Sequence, residues 1–127
     1  MIKNKNSMNR KELKDAYKNI KFRAGVFQIR NRVNGKVYVE GSVNLDKIWN
    51  RHRTELAIGG HRNTELQQDW NRYGEEQFAF EIIGELTVDQ QTDEELKKEV
   101  KLLEKMYVEE LQPYGEKGYH TRPRLST

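Results

Sequence analysis

Apolar positions along the chain switch between a helical and a strand period, and the switches give an α-β-β-α-α-β-α order. Residues 1–8 are polar and basic with nothing to pack, and are expected to be a disordered N-terminus. Asn9 with Glu12 reads as a helix start, and Leu13, Ala16, Tyr17 and Ile20 follow at helical spacing, which predicts an N-terminal helix over 9–22. Gly25 to Gly41 holds two β-rich runs around Asn34-Gly35, a pair suited to a two-residue type I′ turn because both positions then take positive φ. With Val33 opposite Lys36, the residues Phe27, Ile29 and Asn31 share a face with Ser42, Glu40 and Tyr38, and Val26, Val37 and Val39 take the other.

Asn44 then caps a helix whose stripe is Leu45, Ile48, Trp49, His52 and Leu56, ended by Gly59-Gly60 with His61 in the loop. A second helix starts near Asn63 or Thr64, turns Leu66, Trp70 and Tyr73 inward and stops at Gly74. The alternation Phe78, Phe80, Ile82, with Ile83 opposite, predicts a third strand dense enough in apolar residues for the sheet centre. Thr92 and Glu95 form a capping box before a helix with the inner stripe Leu96, Val100, Leu103, Tyr107 and Leu111, which Pro113 ends. The fold class is therefore α+β: one domain over 23–121 with a small sheet packed against helices, preceded by the added helix and followed by a flexible basic tail, 122–127.

Composition narrows the chemistry. The 127 residues suit a single core, and with no cysteine there is no disulfide framework, thiolate metal site or catalytic thiol, which favours a cytoplasmic setting. No apolar run approaches the ~20 residues of a membrane span, nor does one follow the N-terminal lysines as in a signal peptide. The net charge of +3 hides a division: residues 1–62 carry fifteen Lys/Arg against five Asp/Glu, and residues 63–127 eight against fifteen. A basic half of this kind is the usual footprint of a surface that meets a polyanion.

Several segments together resemble the GIY-YIG nuclease family. They are Gly25-Val26-Phe27 and Tyr38-Val39-Glu40, Asn34-Gly35-Lys36-Val37-Tyr38, Asn44-Leu45 with Trp49 and His52, Leu66-Gln67 with Trp70 and Tyr73-Gly74, Phe78 with Phe80-Glu81, Glu104, and the Gln112-Pro113-Tyr114-Gly115 and Gly118-Tyr119 ending. The resemblance implies a three-stranded antiparallel sheet flanked by helices and, in active members, a divalent-metal phosphodiesterase. It assigns a water-orienting tyrosine to position 27, a phosphate-binding tyrosine to Tyr38, and a charge-stabilising arginine to position 48. Histidines His52 and His61 assist, Glu104 holds the metal, and an asparagine at position 120 supports the site. In-line attack on a phosphodiester needs an activated water, a cation at the developing charge and a metal on an oxygen, Mg²⁺ or Mn²⁺ if the chain is active.

The chain departs from this pattern where the chemistry is concentrated. Position 27 is Phe, with no oxygen to orient a proton; position 48 is Ile; position 40, a glycine in the family motif, is Glu; and position 120 is His. Losing one charge-stabilising donor typically costs about 10²- to 10³-fold, so a catalytically impaired protein that binds DNA or RNA phosphate through its basic half is expected. Candidate phosphate contacts are Lys36, Lys47, Arg51, Arg53 and Arg62. The alternatives are an active endonuclease, with Arg51 replacing the missing arginine or with Glu40 and Glu104 sharing a metal with His52 or His120, and a protein-binding regulator or inhibitor on a dead scaffold. Outside the resemblance, Ile48 is a core residue of its stripe, His52 a partly buried core histidine, and Glu104 a boundary carboxylate.

Overall fold

The computed structural model describes residues 9–12 and 22–123. Residues 10–12 are helical, with the Glu12 N–H donating to Asn9 Oδ1 at 2.8 Å, as the capping signal requires. The rest of the expected first helix, with Leu13, Ala16, Tyr17 and Ile20, lies outside the described residues, as do 1–8 and 124–127.

The domain contains strands β1 (Ala24–Asn31), β2 (Val37–Ser42) and β3 (Phe78–Leu86), and helices α1 (Leu45–Ile58), α2 (Thr64–Tyr73) and α3 (Asp93–Leu111). The helix signals behave as read. Asn44 caps α1 by accepting from the Lys47 N–H, Gly59 closes it at φ 81°, Asn63 rather than Thr64 caps α2, and Thr92 with Glu95 makes the capping box of α3.

The sheet is antiparallel in the order β2-β1-β3, so β1 and not β3 is central. The density of large apolar residues in β3 pointed the wrong way. Phe80 stacks on Trp49 of α1 at 4.6 Å and Phe78 leans on Trp70 of α2 at 5.1 Å, which half-buries an edge strand. The smaller residues of β1, among them Ala24, Val26 and Ile29, are wholly enclosed because both faces are covered.

The hairpin register also differs from the expected one. Phe27 lies opposite Glu40 and Ile29 opposite Tyr38, a shift of two residues. Because side chains alternate with period two, the faces survive the shift. Its cause is Asn31. The Asn31 N–H donates to Lys36 O and the Gly35 N–H to Asn31 O, which leaves 32–35 as the loop, and only Gly35, at φ 79°, takes positive φ there. The buried Asn31 side chain accepts from the Val33 N–H at 2.9 Å and donates to Tyr119 Oη at 3.0 Å, and Tyr119 donates to Asp69 at 2.8 Å. A side chain that organises its own loop overrides the Asn-Gly preference.

Helices α1 and α2 cover one face of the sheet and α3 the other. Neighbouring strand residues point to opposite faces. Glu40 accordingly meets His52 of α1, whereas a Cβ on Gly41 would lie 2.7 Å from Val100 of α3. Among the described residues no helix is long and apolar enough to cross a membrane.

Asn31→Ala should lower stability by about 1–3 kcal/mol, since it strands the Val33 N–H and removes the donor to a buried tyrosine hydroxyl. Urea denaturation reads the loss; a value within error of the parent would show that the loop does not depend on Asn31.

Candidate functional site

The candidate residues gather around Glu40 on the face of β2 that looks toward α1. Its side chain is 15 % exposed, and both oxygens are engaged: Oε2 accepts from His52 Nε2 at 2.8 Å, and Oε1 accepts from Arg62 at 2.6 Å and from the Tyr38 hydroxyl at 3.0 Å. The three donors come from α1, from the loop before α2 and from β2 itself.

The proton positions follow from the hydrogen bonds. The Asn63 N–H donates to His61 Nδ1 at 3.0 Å, so the His61 proton belongs on Nε2. That nitrogen lies 2.7 Å from His52 Nδ1, which must then accept, leaving the His52 proton on Nε2 and directed at Glu40. Both imidazoles are neutral in this arrangement and every bond has a donor and an acceptor. His52 and His61 are 2 % and 5 % exposed. Gln67 fixes the far end, accepting from the His61 N–H and donating to Leu56 O and Asn71 Oδ1.

Charge states follow from the same contacts. Burial pushes the Glu40 carboxyl up, but the hydrogen bonds from His52 and Tyr38 and the Arg62 charge together outweigh it and hold Glu40 below the usual carboxylate range. Burial and the Glu40 charge push the Tyr38 hydroxyl up to about 12, so it stays a donor. Burial holds His61 and His120 below the usual imidazole value.

The remaining sequence candidates fall elsewhere. Phe27 is fully buried beneath the cluster, its ring 5.6 Å from His52 and 5.0 Å from Phe80. Ile48 packs on the same core. Arg51 pairs with Glu55 one turn along α1, so the guanidinium in the cluster is that of Arg62. Glu104 sits on α3, across the sheet, and accepts from the Gly41 N–H at 2.6 Å; His120 stacks on Tyr38 and accepts from the Val39 N–H at 2.8 Å. With the Tyr119 N–H on Val37 O, these two side chains cover the outer edge of β2. Glu40 meets its donors on the α1 side, and Glu104 reaches the neighbouring Gly41 N–H from α3.

Two sets of donors bear on a divalent ion. Ligand atoms of His52, Glu55 and His61 lie within 4.8 Å of one another, but the Asn63 N–H keeps a proton on the His61 nitrogen that would have to bind, and Glu55 already pairs with Arg51. Glu104 has one carboxylate oxygen on the Gly41 N–H and shares its groove with Lys97 and Lys101, a poor setting for a dication. As arranged, each set would have to give up a hydrogen bond or an ion pair to take an ion.

Five basic residues were candidate phosphate contacts, and four are ion-paired: Lys36 with Glu65, Arg51 with Glu55, Arg53 with Glu75 and Arg62 with Glu40. Two of these pairs join the basic half of the chain to the acidic half, so the division of charge along the sequence is partly cancelled in the fold. Lys47 remains, beside Lys97 at a groove on the end of α3. From the sequence Gln67 entered only as part of a family segment, and Lys97 and Lys101 were not named. Gln67 is a polar residue set between Leu66 and Trp70 on an inward stripe, which is a usable signal for a buried hydrogen-bond hub.

Because the fold favours neutral His61 and His120, the unfolded chain takes up protons first, and their contribution is present above about pH 6.5 and lost as pH falls below it. The urea midpoint should therefore drop between about pH 7.5 and about pH 5.5, whereas a flat profile would contradict the neutral pair. Glu104→Ala should cost about 1–3 kcal/mol through the uncovered Gly41 N–H, and Glu104→Gln, which keeps an acceptor, should cost less. Equal losses in the two variants would argue against an edge-covering role.

No protein-family model matches the chain. It is 36% identical over 64 residues to intron-associated endonuclease 1 of Enterobacteria phage T4, a match that takes in 50% of this chain and 26% of that protein. Its structure is similar to the catalytic domain of intron endonuclease I-TevI in two solved structures. One, an alanine mutant, is 28% identical with TM-score 0.60, covering 72% of this chain and 86% of that one. The other is 29% identical with TM-score 0.58, covering 70% and 88%. The antiparallel three-stranded sheet and its flanking helices agree with this likeness, and together the matches support a member of the GIY-YIG nuclease superfamily.

Proposed function

We propose that this chain binds DNA or RNA phosphate on a nuclease scaffold and does not cut it. The observation that carries the reading is Glu40, an ionised carboxylate held by the donors that a scissile phosphate would need. Phe27 adds to it: the position that orients water in active relatives is a phenyl ring closed off from solvent. Ile48 offers no charge to a developing oxyanion. Nucleic acid is the partner class because the relatives are named endonucleases. Contact is assigned to Lys47, Lys97 and Lys101, which carry no ion pair among the described residues, ahead of the four paired candidates.

One observation favours a second reading, an active endonuclease requiring Mg²⁺ or Mn²⁺. The Arg62 guanidinium lies beside Tyr38 and Glu40, close to where a substituted cation would act. A regulator that binds protein and no nucleic acid is the third outcome of the same experiment.

Gel shifts at low salt should show DNA or RNA binding that weakens steeply with salt, and each of Lys47→Glu, Lys97→Glu and Lys101→Glu should lower the salt slope by about one. Supercoiled plasmid with Mg²⁺ or Mn²⁺ should stay intact with the parent and be nicked by the Phe27→Tyr, Glu40→Gly, Ile48→Arg triple variant. Cleavage by the parent, lost in Glu104→Ala, would install the second reading. Absence of any nucleic-acid binding would install the third.

A further inference from the structure

Glu40 stands where strand β2, helix α1 and the loop before α2 each present a donor. The Tyr38 hydroxyl and Arg62 serve one carboxylate oxygen and His52 Nε2 the other. The directions of these donors do not depend on Glu40 alone. His61, held by the Asn63 N–H and by Gln67, fixes the His52 tautomer from behind, so the Nε2 proton points into the cradle whichever anion is there. Phe27 and His120 supply aromatic walls, the first against His52 and the second stacked on Tyr38. Arg62, with its side chain 65 % exposed, stands at the mouth, while the carboxylate lies inside.

A carboxylate and a phosphodiester present the same feature to such a cradle: two oxygens sharing one negative charge, each able to accept more than one hydrogen bond. We infer that Tyr38, His52 and Arg62 form an oxyanion site occupied by the chain's own Glu40, a self-blocked site that takes an external phosphate oxyanion once the Glu40 charge is removed. The inference rests on the reading of the cleft as a nuclease-derived phosphate site. A tethered anion competes at an effective concentration on the order of millimolar or above, so it excludes a free phosphate of ordinary affinity. The depressed carboxyl of Glu40 agrees, since the donors keep it ionised despite burial. Nucleic acid bound at Lys47, Lys97 and Lys101 would then leave this cleft shut.

The test titrates inorganic phosphate at low ionic strength into the parent, Glu40→Ala, Glu40→Gln and Glu40→Gln/Arg62→Ala, followed by calorimetry and by melting temperature. The parent should show no saturable binding. Glu40→Ala should bind about tenfold more tightly or better, and Glu40→Gln, nearly isosteric and expected to fold, should melt higher as phosphate is added, a gain that Arg62→Ala abolishes. Should Glu40→Ala prove too unstable to titrate, the Glu40→Gln pair decides alone. The inference is overturned if Glu40→Gln responds to phosphate no more than the parent, or if the double variant responds equally. Failure of the parent to bind nucleic acid in gel shifts would instead overturn the functional reading and leave the phosphate result to be judged by itself.

Discussion

The arrangement of the site depends on one half-buried negative charge. Taking a carboxylate out of water costs several kcal/mol unless its oxygens are matched by donors, and Glu40 is matched on both. The consequences spread outward from it. His52 must offer Nε2–H, so Nδ1 must accept, so His61 must donate from Nε2, so its Nδ1 must find a donor, which the backbone of Asn63 provides. The residue that caps α2 therefore also sets the tautomer of a histidine, which sets a second one on α1, which faces a carboxylate on β2. Strand, two helices and loop are joined by a single sequence of hydrogen bonds.

Two groups of residues then approach β2 from opposite faces of the sheet. Glu40, His52, His61 and Arg62 lie toward α1, whereas Glu104 reaches the edge of β2 from α3. In this chain Glu104 and His120 cover the N–H groups of Gly41 and Val39, a structural use that needs no metal. A loss of function on substituting Glu104 would therefore have two explanations, and stability must be measured beside activity.

Much of this was legible in the sequence because it follows from local rules. Asn44, Asn63 and the Thr92–Glu95 box set three helix starts, and the period-two pattern put Phe27, Tyr38 and Glu40 on one face even though the register was two residues off. What escaped was decided by partners far apart in the chain. The hairpin loop is governed by Asn31 through Tyr119, a contact no local pattern encodes. The centre of the sheet went to β1 because burial depends on what covers a strand, and the aromatic residues of β3 are covered on one side by α1 and α2. Arg62 was legible as a cation, but its position beside Glu40 depends on how the Gly59-Gly60 turn brings the loop back over β2. Four of the five cations read as phosphate contacts are ion-paired, because pairs such as Arg53–Glu75 form across the fold.

The hydrogen-bond chain that ends on Glu40 can be observed directly in the imidazole nitrogens. Long-range nitrogen–proton correlation spectra near neutral pH should show His52 and His61 both neutral and protonated on Nε2, with each Nδ1 carrying the shift of an acceptor, and Glu40→Gln should move the His52 Nε2 resonance more than any other imidazole signal. A His52 protonated on Nδ1, or one whose Nε2 is indifferent to residue 40, would contradict the account at its root.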